Sequence, residues 1–163
     1  MSIQWVVKHV PILLVLSLAL TQTACDAGLR HVSGIDGLVL EFRTDRSQAR
    51  ANEPIKMQFT VSNRGQRHII IESTNTPVMD INVEEFGRTP VIPSWSAQNP
   101  DQVVHHLEWK PGETKTIELV WTPKQEDIYI GAVRIIYLTG VLVGGPGTVQ
   151  SAGVMLCASN VCR

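Results

Sequence analysis

Three cysteines are the side chains of this 163-residue chain with the most varied chemistry, and their number is odd. Cys157 and Cys162 lie near the C-terminus in CASNVC, with four residues between them. Two thiolates without a nearby histidine or third thiol do not complete a tetrahedral zinc site, and catalytic redox pairs favour two intervening residues. The pair therefore predicts a structural disulfide, worth roughly 2 kcal/mol for so short a loop in an oxidising compartment.

The N-terminal segment predicts where the chain is sent. Lys8 precedes an apolar run of 11 residues, Val10–Leu20, and small and polar residues then lead to Ala24 and Cys25. A basic residue, a short apolar core and a small residue before a cleavage point form a secretory signal, predicted here for residues 1–24. The run is too short for a helix that spans a bilayer, which needs about 20 apolar residues.

Cys25 completes a pattern that resembles a lipobox, the processing motif of bacterial lipoproteins. In Thr21-Gln22-Thr23-Ala24-Cys25 the last three residues match the motif, while Gln22 stands where leucine is usual. The resemblance implies acylation of Cys25 and a membrane partner reached through a lipid anchor, in which each buried methylene adds ~0.8 kcal/mol. The predicted location is a cell-envelope membrane. The alternatives are ordinary signal cleavage, which gives a secreted or periplasmic chain, and an uncleaved anchor.

The composition predicts one domain and argues against nucleic-acid binding. Removal of residues 1–24 would leave 139 residues with a net charge of −2, which is enough chain for one hydrophobic core. Basic and acidic residues are interleaved along the chain. The sequence lacks the stripe of basic residues with which a protein binds nucleic acid. Residues 25–36 show little periodicity and are interpreted as a tether or spacer, with the domain over 37–163.

From Gly37 onward the hydrophobic pattern indicates β-strands throughout. Ile55–Ser62 is the clearest example, because its apolar and polar residues alternate strictly. Such alternation places one face of a strand on a core and the other in water, as in antiparallel sheets. Seven to nine such segments with turns between them predict an all-β fold, an immunoglobulin-like antiparallel β-sandwich. A small closed barrel is the alternative.

Four short strings occur in order over about residues 50–140. They are Asn52-Glu53-Pro54 before IKMQFTVSN, Asp80 in VMDINVEE, Trp95-Ser96, and Leu107–Glu113 (LEWKPGE) followed by Ile117–Trp121. Together they resemble the intracellular proteinase inhibitor family of the BsuPI type. Asn52 stands where that family usually has glycine, and the Cys157/Cys162 pair is additional. The resemblance implies an immunoglobulin-like sandwich and, as an activity, protease inhibition.

No pattern typical of a catalytic centre is present, so the chain is not predicted to be an enzyme, and no cofactor or metal is expected. His105 and His106 are neighbours on a predicted strand, so their side chains point to opposite faces and do not bind one metal together. The nucleophile motif G-x-S-x-G is missing from the sequence. Asp80 is open to three interpretations: an inward acid, a buried hydrogen-bonding residue, or, from its parity between Met79 and Ile81, a solvent-facing residue.

Two surfaces are candidates for binding. Val141, Leu142 and Val143 precede a glycine-rich stretch, and at a loop tip they would form an exposed apolar patch of the kind that marks contact sites. Trp95 lies in the proline-rich stretch 89–103, where it would act as an aromatic anchor. The alternative for both is packing inward, as extensions of strands or as core.

The leading functional hypothesis is a non-catalytic, membrane-tethered extracytoplasmic binding module that acts through protein–protein contacts. The family resemblance supplies a second hypothesis, an extracytoplasmic protease inhibitor whose partner is a protease. A third makes the domain a structural module of an envelope assembly. No nucleic-acid partner is expected under any of the three.

Overall fold

The computed structural model of the chain describes residues 28–85, 94–128, 133–143 and 148–157. Its strands are β1 (Arg30–Ile35), β2 (Leu38–Thr44), β3 (Gln48–Ala49), β4 (Ile55–Asn63), β5 (Ile69–Glu72), β6 (Met79–Glu85), β7 (His106–Trp109), β8 (Thr114–Trp121), β9 (Val133–Leu142) and β10 (Thr148–Cys157). A one-turn helix, α1 (Trp95–Gln98), and two short 3-10 helices (Pro100–Gln102 and Gln125–Asp127) complete the described elements.

The strands form two four-stranded sheets and a separate two-stranded ribbon. The strand orders are β1-β2-β4-β8 in sheet 1 and β3-β10-β9-β6 in sheet 2, and the ribbon pairs β5 with β7. Every pairing is antiparallel except the two-residue contact of β3 with β10. The fold is therefore an all-β, immunoglobulin-like sandwich, which confirms the predicted class. The described part holds ten strands rather than seven to nine, because β1 and β3 were not expected.

The core lies between the two sheets and follows the alternation of each strand. In β4 the four alternating residues Ile55, Met57, Phe59 and Val61 are all buried. Sheet 2 supplies the opposite layer, with Ile81, Val83, Ile136, Leu138, Val154 and Leu156. The rings of Phe42 and Phe59 pack at 6.5 Å between centroids and 53° between planes, a tilted arrangement that aromatic pairs favour.

Residues 30–35 form a strand, so the predicted spacer over 25–36 is wrong for its second half. β1 pairs along its whole length with β2, from Arg30 opposite Arg43 to Ile35 opposite Leu38. Asp36 and Gly37 connect the two strands with positive φ angles of 48° and 90°, the requirement of a two-residue type I′ hairpin. The folded domain therefore includes β1 and does not begin at residue 37.

Candidate functional site

The ribbon of β5 and β7 is attached to the end of β4 by Asn63, a fully buried side chain. Its Nδ2 donates to the carbonyl of Arg67, just before β5, at 2.7 Å and to the carbonyl of Trp109, at the end of β7, at 3.0 Å. Its Oδ1 accepts from the backbone N–H of Gly65 at 3.0 Å. One side chain thus closes the turn after β4 and fixes both strands of the ribbon.

Trp109 anchors the inner side of the ribbon. Its ring is fully buried, and its Nε1 donates to the carbonyl of Val61 at 3.1 Å. The ammonium group of Lys115 lies 5.9 Å from the ring centroid, within the range of a cation–π contact. The next inward residue of β5, Ile71, is also buried. Because its inner side is fixed in this way, the ribbon presents its outer side as a defined surface.

This outer side, here named the ribbon face, consists of Ile70, Glu72, His106 and Glu108, with His68 directly before β5. The register sets Ile70 opposite Glu108 and Glu72 opposite His106. His106 bridges the two carboxylates, with Nδ1 at 2.9 Å from Glu72 Oε1 and Nε2 at 3.0 Å from Glu108 Oε1. His68 Nε2 lies 3.2 Å from Glu108 Oε2. The four polar side chains form one connected chain beside Ile70, which is 53% exposed.

The side chains of the ribbon face stabilise one another in their charged forms. Hydrogen bonds to Glu108 and then Glu72 favour the protonated imidazole, so the pKa of His106 is raised above its ordinary value of 6.5. The hydrogen bond from His106 in turn lowers the pKa of Glu108 below its ordinary 4.5. The His106 contribution to stability is present below its unfolded-state pKa and is lost as pH rises through the raised folded-state pKa. The Glu108 contribution is lost as pH falls through its lowered pKa, so the cluster is strongest in mildly acidic solution.

Replacing Glu108 by glutamine is expected to lower the pKa of His106, because it removes the partner with the largest effect on that imidazole. An NMR titration of the His106 ring in both proteins measures the shift, and the pKa should remain above its ordinary value because Glu72 is still present. Glu126→Gln, at an exposed carboxylate outside the ribbon, is the matched control. Equal His106 titration midpoints in the Glu108 variant and in the parent would contradict the described hydrogen bonding.

Asp80 lies under α1 and is a buried hydrogen-bonding residue. By its parity it points to the outer face of sheet 2, between the buried Met79 and Ile81, yet it is only 8% exposed. Its Oδ1 accepts from the backbone N–H of Ser96 at 3.0 Å, and its Oδ2 accepts from the Ser96 hydroxyl at 2.6 Å. The Ser94 side chain caps α1 by accepting from Ala97 N. Asp80 therefore fixes α1 to the sheet, and the solvent-facing interpretation is wrong.

Neither predicted contact surface is presented as expected. Trp95 begins α1 and is 6% exposed, so it packs inward and does not form an exposed anchor. Val141 and Leu142 belong to β9, where Leu142 is 2% exposed and pairs with Met79 of β6. Val143 follows directly and its N–H donates to the carbonyl of Val78 at 2.9 Å. Leu142 packs inward at the end of a central strand, as Trp95 does in α1, which is the inward alternative. Val141 precedes it in β9 and Val143 directly follows the strand, and both are half-buried.

The neighbouring histidines are separated as their alternation predicts. His106 is on the ribbon face, whereas His105 Nδ1 lies 3.0 Å from the carbonyl of Thr76. Within the described residues, no group of three or more His, Cys, Asp and Glu side chains is arranged to hold a metal ion. The sequence pattern His-x-Glu in β7 places His106 and Glu108 on one side, but their contact with Glu72 depends on the pairing with β5, which a single strand does not reveal.

The cysteine predictions fall mostly outside the described residues. Cys25 and Cys162 lie beyond them, so acylation at Cys25 and the Cys157–Cys162 disulfide stay predictions. Cys157 ends β10 and is buried, 1% exposed, with Leu156 beside it in the core. In the part of the chain that the structure describes, no helix is long and apolar enough to cross a membrane.

Two of the strings quoted for the family resemblance have clear structural roles. Asn52 has a φ angle of 64°, a left-handed conformation that glycine adopts most easily and asparagine tolerates best among the other residues. In the LEWKPGE string, Glu113 Oε2 accepts from the N–H of Lys110 at 2.8 Å and closes the turn. The left-handed φ angle of Asn52 explains why a residue that tolerates this conformation, such as asparagine or glycine, suits position 52. Membership of the family stays a prediction.

Comparisons with known proteins show similarity to several solved structures at low identity. No protein-family model matches the chain, and no curated protein matches it. Spo0M, a sporulation control protein from Bacillus subtilis, has a TM-score of 0.46 and 12% identity over 76% of this chain and 51% of its own. A CARDB domain from Pyrococcus furiosus has a TM-score of 0.41 and 17% identity, over 74% and 94%. A β-glucosidase from Erythrobacter marinus has a TM-score of 0.42 and 10% identity, over 80% of this chain but only 16% of the enzyme. At these values the similarities assign no activity or partner to this chain.

Proposed function

We propose that this chain is a non-catalytic, membrane-tethered binding module of a bacterial cell envelope that acts through protein–protein contacts. The observation that carries the proposal is the ribbon face, where the exposed Ile70 lies beside a connected chain of charged side chains. Protein interfaces combine an apolar centre with a polar, solvent-accessible rim. The ribbon face has both parts on a two-stranded surface that Asn63 and Trp109 hold in place.

The chemistry of the ribbon face favours a partner with an apolar side chain for Ile70 and hydrogen-bonding groups around it. The carboxylates of Glu72 and Glu108 flank the imidazole of His106 and remain accessible, since all three residues are exposed. Charged groups in a rim contribute to partner choice and association rate more than to affinity. Because the pKa of His106 is raised, the net charge of this face changes with pH, and binding is expected to change with it.

The tether rests on the sequence pattern of residues 1–25. The basic residue, the short apolar run and the lipobox-like ending at Cys25 support export and acylation. A domain held at a membrane meets its partners at a raised local concentration, so a modest contact surface suffices. The single exposed ribbon of this sandwich is such a modest contact surface.

The experiment is site-specific photocrosslinking in intact membranes with the full chain. A photoreactive residue replaces Ile70, and the matched control replaces Val32, which is 49% exposed on β1. A discrete protein adduct from position 70 that is absent from position 32 and weakened by Glu108→Lys is expected. The same adducts from both positions, or none from position 70, would contradict the proposal. An adduct whose partner is a protease that reacts with an active-site probe when free but not in the adduct would favour the second hypothesis, protease inhibition.

A further inference from the structure

We infer that the end of the sandwich where β1 begins is its membrane-facing end, in contact with phospholipid headgroups, and that the ribbon face lies at the opposite end. The inference rests on the proposed acylation of Cys25. It follows from how few residues separate that cysteine from the first residues held by the fold.

The described chain is fixed to sheet 1 from its first residues. The N–H of Leu29 donates to Thr44 Oγ1 at 3.0 Å, and the N–H of Thr44 donates to the Leu29 carbonyl at 2.9 Å. Leu29 also packs against the hydrophobic core. Gly28 approaches the Thr44 carbonyl so closely that a Cβ there would overlap it. The chain is therefore held at Gly28 and Leu29, before β1 begins.

Only Asp26 and Ala27 lie between Cys25 and Gly28. Three Cα–Cα steps of extended chain span at most about 11 Å. An acylated Cys25 sits at the headgroup level, so the Gly28–Thr44 contact lies within that distance of the membrane surface. The tether is thus too short to let the domain turn freely, and one end of the sandwich faces the lipid.

The strand ends near Thr44 are predominantly cationic. The register brings the start of β1, the end of β2, the start of β4 and the end of β8 to this edge of sheet 1. The charged residues at these strand ends and in the turn before β4 are Arg30, Arg43, Asp45, Arg46, Arg50, Glu53 and Lys56. Glu41, two residues inward along β2, pairs with Arg30 and Arg43, and Glu53 pairs with Arg46. A net positive edge is complementary to anionic phospholipid headgroups.

The opposite end of sheet 1 carries the ribbon. Arg64 and Gly65 donate to the carbonyl of Gly37, and Gly112 donates to the carbonyl of Asn63, so three turns meet there. Asn63 ends β4 and bonds directly to both strands of the ribbon. β4 has 9 residues and therefore separates this end from the lipid-facing end by about 27 Å. The ribbon face is consequently held away from the bilayer, accessible to a protein partner.

Two labels on one strand test the orientation. Thr114 and Val120 lie on the same outward side of β8. Thr114 pairs with Ser62 and Val120 pairs with Lys56, so the two positions sit at opposite ends of sheet 1. The full acylated chain carries a fluorescent residue at one position and is placed in phosphatidylethanolamine–phosphatidylglycerol vesicles whose headgroups bear a nitroxide. Quenching several-fold stronger at position 120 than at 114 is expected. A flexible insert of about ten residues after Asp26, with a reach near 17 Å, should reduce that difference.

The outcomes separate the orientation from the tether. Equal quenching at positions 114 and 120, or stronger quenching at 114, in chain whose acyl mass has been verified would overturn the orientation alone. Chain that carries no acyl mass and does not bind the vesicles would overturn the tether and the orientation with it. A quenching difference that the insert leaves unchanged would also overturn the inference, because the short linker would then not be its cause.

Discussion

Replacing Trp109 by alanine is expected to lower the free energy of unfolding by about 3–5 kcal/mol, the range for a large aromatic residue removed from a core. The ring is fully buried, and its Nε1 is the donor to the Val61 carbonyl at 3.1 Å. The substitution therefore leaves both a cavity and a buried carbonyl without that partner. Domains of this size have total stabilities of about 5–15 kcal/mol, so much of the chain's stability would be lost. Urea denaturation, monitored by the far-UV circular dichroism of the backbone rather than by tryptophan fluorescence, measures the change.

Two further variants separate the causes of the Trp109 effect. Trp109→Phe keeps an aromatic ring but removes the N–H, and is expected to cost about 1–2 kcal/mol for the lost hydrogen bond to the Val61 carbonyl. Val120→Ala is the surface control, since Val120 is 54% exposed, and should change stability by less than about 0.5 kcal/mol. A Trp109→Ala loss no larger than that of the surface control would contradict the described packing.

Asn63→Ala is expected to cost about 3 kcal/mol, because three buried or partly buried hydrogen bonds disappear and their partners lose a neighbour. The partners are the carbonyls of Arg67 and Trp109 and the N–H of Gly65. The same change loosens both strands of the ribbon, so the adduct from position 70 should weaken as well. Gln58→Ala on the same strand removes only an exposed hydrogen bond to Glu118 and serves as the control.

Asn63→Asp tests the hydrogen-bond directions within the same shape. The new carboxylate would face two carbonyl oxygens that now accept from Nδ2. Repulsion and burial both raise its folded-state pKa above the ordinary value of about 3.9. A raised folded-state pKa means that the loss of stability is smaller at about pH 4 than at pH 7. A loss that is the same at both pH values would contradict the assigned amide orientation.

The alternation within single strands predicted much of the fold. It did not predict which parts of a sheet face are covered by other segments of the chain. In β4, strict alternation placed Ile55, Met57 and Phe59 in the core, as observed. Asp80 was assigned to the outer face by the same rule, and it does point there, but α1 covers that part of the sheet. Parity identifies the side of a sheet, whereas burial also depends on segments that arrive from elsewhere in the chain.

Elements that depend on pairing were the ones missed. β1 has the sequence RHVSGI and mostly exposed side chains, because it is an edge strand whose conformation comes from hydrogen bonding to β2. The Asp36-Gly37 hairpin was the local signal that could have revealed it. The ribbon face was missed for a related reason. Each of its strands is short, and the contact of His106 with Glu72 exists only once β5 and β7 are in register.

The most direct test of a membrane-tethered module is the mass of the N-terminal peptide of the full chain, recovered from the membrane fraction of cells that export it. The account predicts a peptide that begins at Cys25 and carries acyl chains, and a Cys25→Ser variant that is neither acylated nor retained in membranes. An unmodified peptide, or a Cys25→Ser protein that stays membrane-bound without acyl mass, would contradict the tether.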